Sequence, residues 1–364
     1  MKQLVFTVTN DLNYDQRMIR ICTSLAAGGY KVTLIGRTQE DSPVLTGQPF
    51  QQRRLKCFFN NGPAGYAEFN IRLFFCLLFL KHDLVCAIDL DTIMPCYFSS
   101  RLKGNRRVYD AHELFCEMKE VATRPAIYKF WKRVEKRFVP KFSDGYTVNE
   151  FIAEEFKRMY AVNYGVIRNM PSLQQHTKAP EKKNKYILYQ GAVNEGRSFE
   201  TLIPAMKYVD LPLVICGSGN FMQQAKELAR QHGVTEKVIF RGKVLPADLR
   251  QYTENAWLGV TLFDKTGLSN YYSLANRFFD YMHAGLPQIC VDYPVYRSII
   301  RDYSFARLID DLTPENIAKE INSLLQDQEL YDTLQRECFK AREILNWQEE
   351  EKKLTSFYQK IFSS

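Results

Sequence analysis

The chain has 364 residues, 46% of them hydrophobic and 25% charged, with a formal net charge of +8. That length suggests two domains, and the composition excludes an intrinsically disordered chain. The charge admits an acidic partner such as a phosphate, a membrane surface or a nucleic acid without selecting one.

The N-terminal MKQLVFTVTN is too short an apolar stretch for a signal peptide and alternates like a strand. A polar loop follows, then a helix over Asp15–Ala27, closed by Gly28-Gly29, and the strand KVTLIGR. In TNDLNYDQRMIR, Asp15 and Arg17 can meet an acceptor hydroxyl; capping and solvating the first turn is the simpler reading. The run FNIRLFFCLLFLKHD (Phe69–Asp83) is broken by Arg72 and falls short of the ~20 apolar residues needed to span a bilayer. It reads as a buried helix leading into the strand LVCAID. The strand RVYDAH then puts Asp110 and His112 on one side of its end, with Glu113 beyond; His112 is either a donor to a substrate hydroxyl or a satisfied structural histidine. Residues 124–142 are basic and aromatic at helical spacing. They fit a helix lying on an anionic membrane or one that packs its aromatics inward, and no motif supports nucleic acid. SDGYTVN is the last strand of this half.

A second series begins after VIRNMPS. Pro171–Lys185, mostly QQHTKAPEKKNK, is the expected linker, and KYILYQG, LPLVICGSG, KVIFRG, WLGVTLF and LPQICVD are strand candidates separated by helices. In YQGAVNEGRSFETL, Arg197 falls at a helix start, where a cation is unfavourable unless an anion is near; an ordinary surface arginine is the alternative. In LVICGSGN, Gly217 and Gly219 either let a backbone approach a phosphate or make a tight turn, and the full dinucleotide fingerprint is missing. NRFFDYMHAGLPQIC reads as a helix over 276–284, a stop at Gly285 and a core strand. Ser273 is its expected N-cap, Asn276 lies in its first turn, and Asp280 is either a ribose ligand or a solvated carboxylate. The last helix, Glu349–Ile361, follows a break at Asn346-Trp347. Alternating strands and helices in both halves predict two doubly wound α/β domains, with ligands beyond the carboxyl ends of the strands. Nine scattered cysteines without a C-x-x-C pair read as reduced thiols of a cytoplasmic protein, and five dispersed histidines give no metal-ligand spacing.

Together, TNDLNYDQRMIRICTSLAAGGYKVTLIGR, YDAHELF, TVNEFIAEEF with VIRNMP, YQGAVNEGRSFETLI, VICGSGN, VIFRGKV and NRFFDYMHAGLP resemble the retaining glycosyltransferases of family 4 (glycosyl transferases group 1), which have the GT-B fold. The resemblance implies two Rossmann-like domains facing a central cleft. The acceptor-binding domain covers 1–170 with the helix 347–364 packed back on it, and the donor-binding domain covers 171–346. It implies a nucleoside-diphosphate sugar donor, no cofactor and no metal, and a saccharide or lipid-linked saccharide acceptor, with the enzyme on the inner membrane face at most peripherally, through 124–142. Asp280 falls where the second Glu of E-x7-E holds the ribose, Arg197 at the basic residue that neutralises the diphosphate, His112 at the donor-sugar contact, and Lys243 and Val244 where the base is held. Gly191, Gly217, Gly219, Ser273 and Asn276 line the expected donor site.

Two positions depart from the pattern. Tyr272 replaces the first Glu of E-x7-E, and Ala192 replaces the first basic residue of the diphosphate pair, which leaves Lys243, Lys265 or the start of the 276–284 helix to assist Arg197. The glycine-rich acceptor loop is replaced by NDLNYDQR. A hexosyltransferase acting with retention is the implied activity, with a sugar-nucleotide epimerase or a non-catalytic nucleotide-sugar-binding scaffold as alternatives.

Overall fold

The computed structural model describes residues 1–39, 42–59, 62–174 and 185–363. Most of the expected linker, positions 175–184, lies outside the described residues. The chain divides into two compact units, Met1–Asn169 with Glu350–Ser364, and Met170–Glu349.

The first unit is built on β1 (Gln3–Thr7), β2 (Lys31–Arg37), β3 (Gln51–Leu55), β4 (Leu84–Ile88), β5 (Arg106–Ala111), β6 (Asp144–Thr147) and β7 (Gly165–Val166), in the order β3-β2-β1-β4-β5-β6-β7. All pairings are parallel. The central strand β4, LVCAI, is buried along its whole length, as expected of a parallel strand covered by helices on both faces. The terminal helix Trp347–Ser363 contributes all but its first three residues to this unit: Tyr358 is fully buried, its hydroxyl 3.2 Å from that of Tyr146 and its ring against Phe6. Asn346 caps that helix by accepting the Glu349 amide.

The second unit contains β8 (Ile187–Gln190), β9 (Leu213–Cys216), β10 (Val238–Gly242), β11 (Leu258–Thr261), β12 (Gln288–Val291) and β13 (Ala306–Ile309), again all parallel, in the order β10-β9-β8-β11-β12-β13. Two doubly wound α/β units are thus present. Three strands went unread in the sequence: β3, β7 and β13. Each lies at a sheet edge, where a short or polar strand such as QQRRL carries no apolar run.

The apolar segment beginning at Phe69 corrects one expectation. It belongs to the helix Gly62–Phe79, which buries Phe69, Leu73 and Leu77 but leaves Ile71, Phe75 and Phe79 58%, 52% and 83% exposed at i, i+4 and i+8. Phe98 and Leu102 of the packed helix Ile93–Lys103 are exposed as well. Among the described residues no helix is long and apolar enough to cross a membrane. The helix Pro125–Phe138 turns Trp131 inward against Phe115 and Tyr66 and leaves Lys129, Phe130, Arg133, Lys136 and Arg137 outside. All nine cysteines are free thiols.

Candidate active site

In a doubly wound sheet the strand order reverses at one point, and the loops leaving the two strands there diverge to opposite faces and open a crevice. The reversal lies between β1 and β4 in the first unit and between β8 and β11 in the second. Most of the polar groups singled out in the sequence gather at the carboxyl ends of these strands.

In the first unit, Arg17 is the second residue of the helix Gln16–Ala27 and is 4% exposed. Its Nε and Nη2 donate to the two oxygens of Asp110 (3.3 and 2.9 Å), which is 0% exposed, and its Nη1 donates to the Ile167 carbonyl at 2.9 Å. The expected acceptor role of Arg17 is therefore corrected: every donor nitrogen is engaged inside the fold, bidentately on a buried carboxylate. Asp15 caps the same helix, accepting the Met18 amide at 3.0 Å. His112 lies between carboxylates, Nδ1 3.3 Å from Asp89 and Nε2 3.2 Å from Asp110, and its backbone amide donates to Asp89 at 2.9 Å. Burial opposes a charge on His112, but Asp89 and then Asp110 outweigh it and hold its pKa well above the ordinary histidine range. Asp110 is lowered: burial works against its charge, and Arg17 and His112 overcome that. Asp91 differs from both. Burial first and Asp89 second raise it to about 7, against a hydrogen bond from Thr9 (2.6 Å). Both ring nitrogens of His112 thus face carboxylates, which favours the charged imidazole, although Nε2 lies at ion-pair distance from Asp110 without hydrogen-bond geometry.

In the second unit, the helix Asn276–His283 buries Phe278, Phe279, Tyr281 and Met282. The Tyr281 hydroxyl donates to Leu188 O and accepts from Gln190 N, which pins the helix to β8. Asp280 is left half-buried at the strand end. It accepts from Gln190 Nε2 at 2.8 Å, while Gln190 Oε1 accepts from Thr253 at 2.7 Å. The carboxylate is held at the carboxyl edge of the sheet, where a ligand binds in this architecture.

Ser273 does not cap this helix; Ala275 occupies the cap position, and the Ser273 hydroxyl donates back to Asn270 O at 2.9 Å. Asn276 is the first helical residue and is exposed. Gly285, at φ +65°, follows the helix end as anticipated.

Arg197 lies in the loop before the short helix Phe199–Ala205, half-buried between Gly196 (φ +81°) and Ser198 (φ +55°). Its guanidinium donates to Asn270 Oδ1 at 3.1 Å and lies 4.6 Å from the centre of the Phe263 ring. Asn270 also holds the loop through Gly196 O (3.3 Å) and Asp264 (3.1 Å).

Gly191 ends β8 at φ +125°. Gly217 and Gly219 are required by packing of the two βα loops, since a Cβ would meet Gly191 O at 1.8 Å and Asn194 Oδ1 at 2.2 Å. Lys243, just past β10, is exposed, and Val244 is half-buried against the apolar cluster that contains Leu188, Val214 and Tyr281. Among the described residues there is no group of three or more His, Cys, Asp or Glu placed to hold a metal ion.

Sequence reading missed one cation in this crevice. Arg277, the second residue of the Asn276–His283 helix, is 6% exposed and stacks against Tyr189 (4.5 Å) and Phe263 (4.7 Å). Like Arg197, Arg277 is a cation at a helix start, which is unfavourable without an anion, and that position is its signal in the sequence.

Residues 172–340 match the family described as Glycosyl transferases group 1. No curated protein matches the chain. Among solved structures, sucrose-phosphate synthase from Thermosynechococcus elongatus matches with a TM-score of 0.80 at 16% identity, over 100% of both chains. Anabaena HepE in complex with UDP and glucose matches at 0.76 and 12% identity, again over 100% of both. WaaG, a glycosyltransferase involved in lipopolysaccharide biosynthesis, matches at 0.75 and 15% identity, over 97% of this chain and 98% of that one. The fold is that of the GT-B glycosyltransferases, two parallel-sheet α/β domains of seven and six strands.

Proposed function

We propose that this protein is a glycosyltransferase that moves a hexosyl group from a nucleoside-diphosphate sugar to a hydroxyl of a saccharide or lipid-linked saccharide. One observation carries the reading: within the segment that matches Glycosyl transferases group 1, Arg197 and the carboxylate of Asp280 stand in the loops and helix that flank the β8 strand end. The UDP complex of HepE supports a nucleotide donor. The second unit takes the donor, with Asp280 accepting from vicinal ribose hydroxyls, Lys243 and the Val244 backbone beside the base, and the Gly191, Gly217, Ser273 and Asn276 segments around the sugar and phosphates. The first unit takes the acceptor.

The chemical difficulty is departure of a nucleoside diphosphate as positive charge develops on the anomeric carbon. Arg197 stabilises the growing negative charge, an electrostatic effect that needs no reorganisation because Asn270 and Phe263 already hold the guanidinium. The reaction proceeds with retention and without a metal, by front-face attack in which a diphosphate oxygen takes the acceptor's proton. Ile71, Phe75 and Phe79, exposed in one stripe, and the outward Lys129, Arg133 and Lys136 support peripheral contact with an anionic membrane. The test is release of nucleoside diphosphate from a panel of nucleotide sugars in the presence of EDTA, with and without saccharide acceptors. Acceptor-dependent release with an axial product bond is expected. Epimerised donor without transfer, or binding without turnover, would replace this reading with an epimerase or a scaffold.

A further inference from the structure

Arg277 is 6% exposed, and no ion pair to a carboxylate is present among the described residues. Its Nη1 makes two long contacts, 3.4 Å to the Tyr189 hydroxyl and 3.4 Å to Gln190 O. Its Nε and Nη2 are buried and have no hydrogen-bond partner. These two nitrogens form one edge of the guanidinium, the side-on fork that receives two oxygens of a carboxylate or phosphate. In the first unit, the same edge of Arg17 is filled by Asp110.

The position of this fork is specific. Tyr189 belongs to β8 and Phe263 follows β11, so the guanidinium is stacked inside the crevice where the strand order of the second sheet reverses. Gly191 leaves room for it: a Cβ there would come 3.3 Å from Nη1. Phe263 carries Arg197 as well, so two guanidiniums rest against one ring. Asp264 follows Phe263 and reaches this loop through Asn270, but neither guanidinium forms an ion pair among the described residues, and a cation buried at a helix start costs stability unless an anion joins it. A single oxyanion satisfies one fork; a diphosphate satisfies both.

We propose that Arg277 is the second cation of a diphosphate site, its Nε–Nη2 edge gripping one phosphate while Arg197 meets the other. It supplies the charge missing at Ala192, in place of Lys243 or Lys265. The inference rests on the glycosyl-transfer reading only for the identity of the molecule that carries the diphosphate.

The test compares the full-length wild type with Arg277→Met and Arg277→Lys, using inorganic pyrophosphate and UDP as probes in thermal melts and titration calorimetry. Pyrophosphate and UDP are expected to raise the wild-type melting temperature. Arg277→Met is expected to melt no lower than wild type without ligand, because it removes an unpaired buried charge, and to bind both probes at least about 30-fold more weakly. Arg277→Lys, with charge but no fork, is expected to bind between the two. A purely structural role predicts instead that Arg277→Met lowers the ligand-free melting temperature and leaves pyrophosphate affinity unchanged, and that result overturns the proposal. So does a wild type that binds neither probe. Pyrophosphate binding lost in Arg277→Met, together with no transfer from any nucleotide sugar, keeps the site and removes the glycosyl-transfer reading.

Discussion

Each unit buries one arginine near the reversal point of its sheet, and the two are in opposite states. Arg17 gives its Nε–Nη2 edge to Asp110 and its Nη1 to a carbonyl, so its charge is neutralised within the fold. Arg277 directs Nη1 weakly toward a carbonyl in the same way, but its other edge meets no acceptor. Aromatic rings flank both, Tyr146 at 5.8 Å for Arg17, and Tyr189 and Phe263 for Arg277. The difference separates structural from ligand-directed burial of a cation. A guanidinium whose partner is built in holds the fold together, whereas one lacking a partner is a standing cost that an external anion offsets.

The sharpest way to break this comparison is to remove both charges in turn. Arg17→Met leaves Asp110, at 0% exposure, with His112 alone opposite it and is expected to cost about 3–5 kcal/mol in denaturant unfolding, against no loss for Arg277→Met. Equal destabilisation by the two substitutions would erase the distinction. Next in size, Arg197→Ala is expected to lower kcat for transfer by about 10²–10³ with an unchanged melting temperature, since its only side-chain hydrogen bond among the described residues is to Asn270. Normal turnover in that variant would remove Arg197 from the donor site.

A smaller effect tests the electrostatics of the first unit by pH. Asp91 has its pKa raised from 3.8 to about 7, so the stability of its protonated form is complete below pH 3.8 and is lost as pH rises toward 7. His112 is also raised, and its contribution is complete below pH 6.5 and disappears as pH climbs through its folded value. Both lower the melting temperature on going from weakly acidic to alkaline solution, and Asp91→Asn is expected to flatten the acidic part of that slope. Asp110 works in the other direction, losing its contribution as pH falls below 3.8 toward its lowered value. Smallest of all, Asp280→Asn keeps an oxygen for Gln190 but loses the charge, and is expected to raise KM for the donor by about 10-fold with little change in kcat.

The sequence disclosed the fold wherever strands are buried on both faces. LVCAI and LVIC are continuous apolar runs, and QICV is apolar after its first residue, so all three read as core strands. It concealed β3, β7 and β13, because an edge strand needs no apolar face of its own. The helix-strand unit around Asp280 was legible because Phe278, Phe279 and Met282 recur at helical spacing and Gly285 marks the stop. What the spacing could not give was the partner of each polar group. Arg17 and Asp110 are 93 positions apart, and nothing local shows that one neutralises the other. Ser273 looked like a cap because it precedes the helix, yet its hydroxyl closes the preceding turn. Arg277 was passed over as one polar residue beside two phenylalanines; only the stacking on Tyr189 and Phe263 shows where its charge is held.

The most direct test is a crystal structure of the protein grown with UDP. The account predicts phosphate oxygens at about 2.7–2.9 Å from both Nε and Nη2 of Arg277, with the second phosphate on Arg197 and the ribose at Asp280. A bound nucleotide whose phosphates leave the Arg277 edge empty would contradict it.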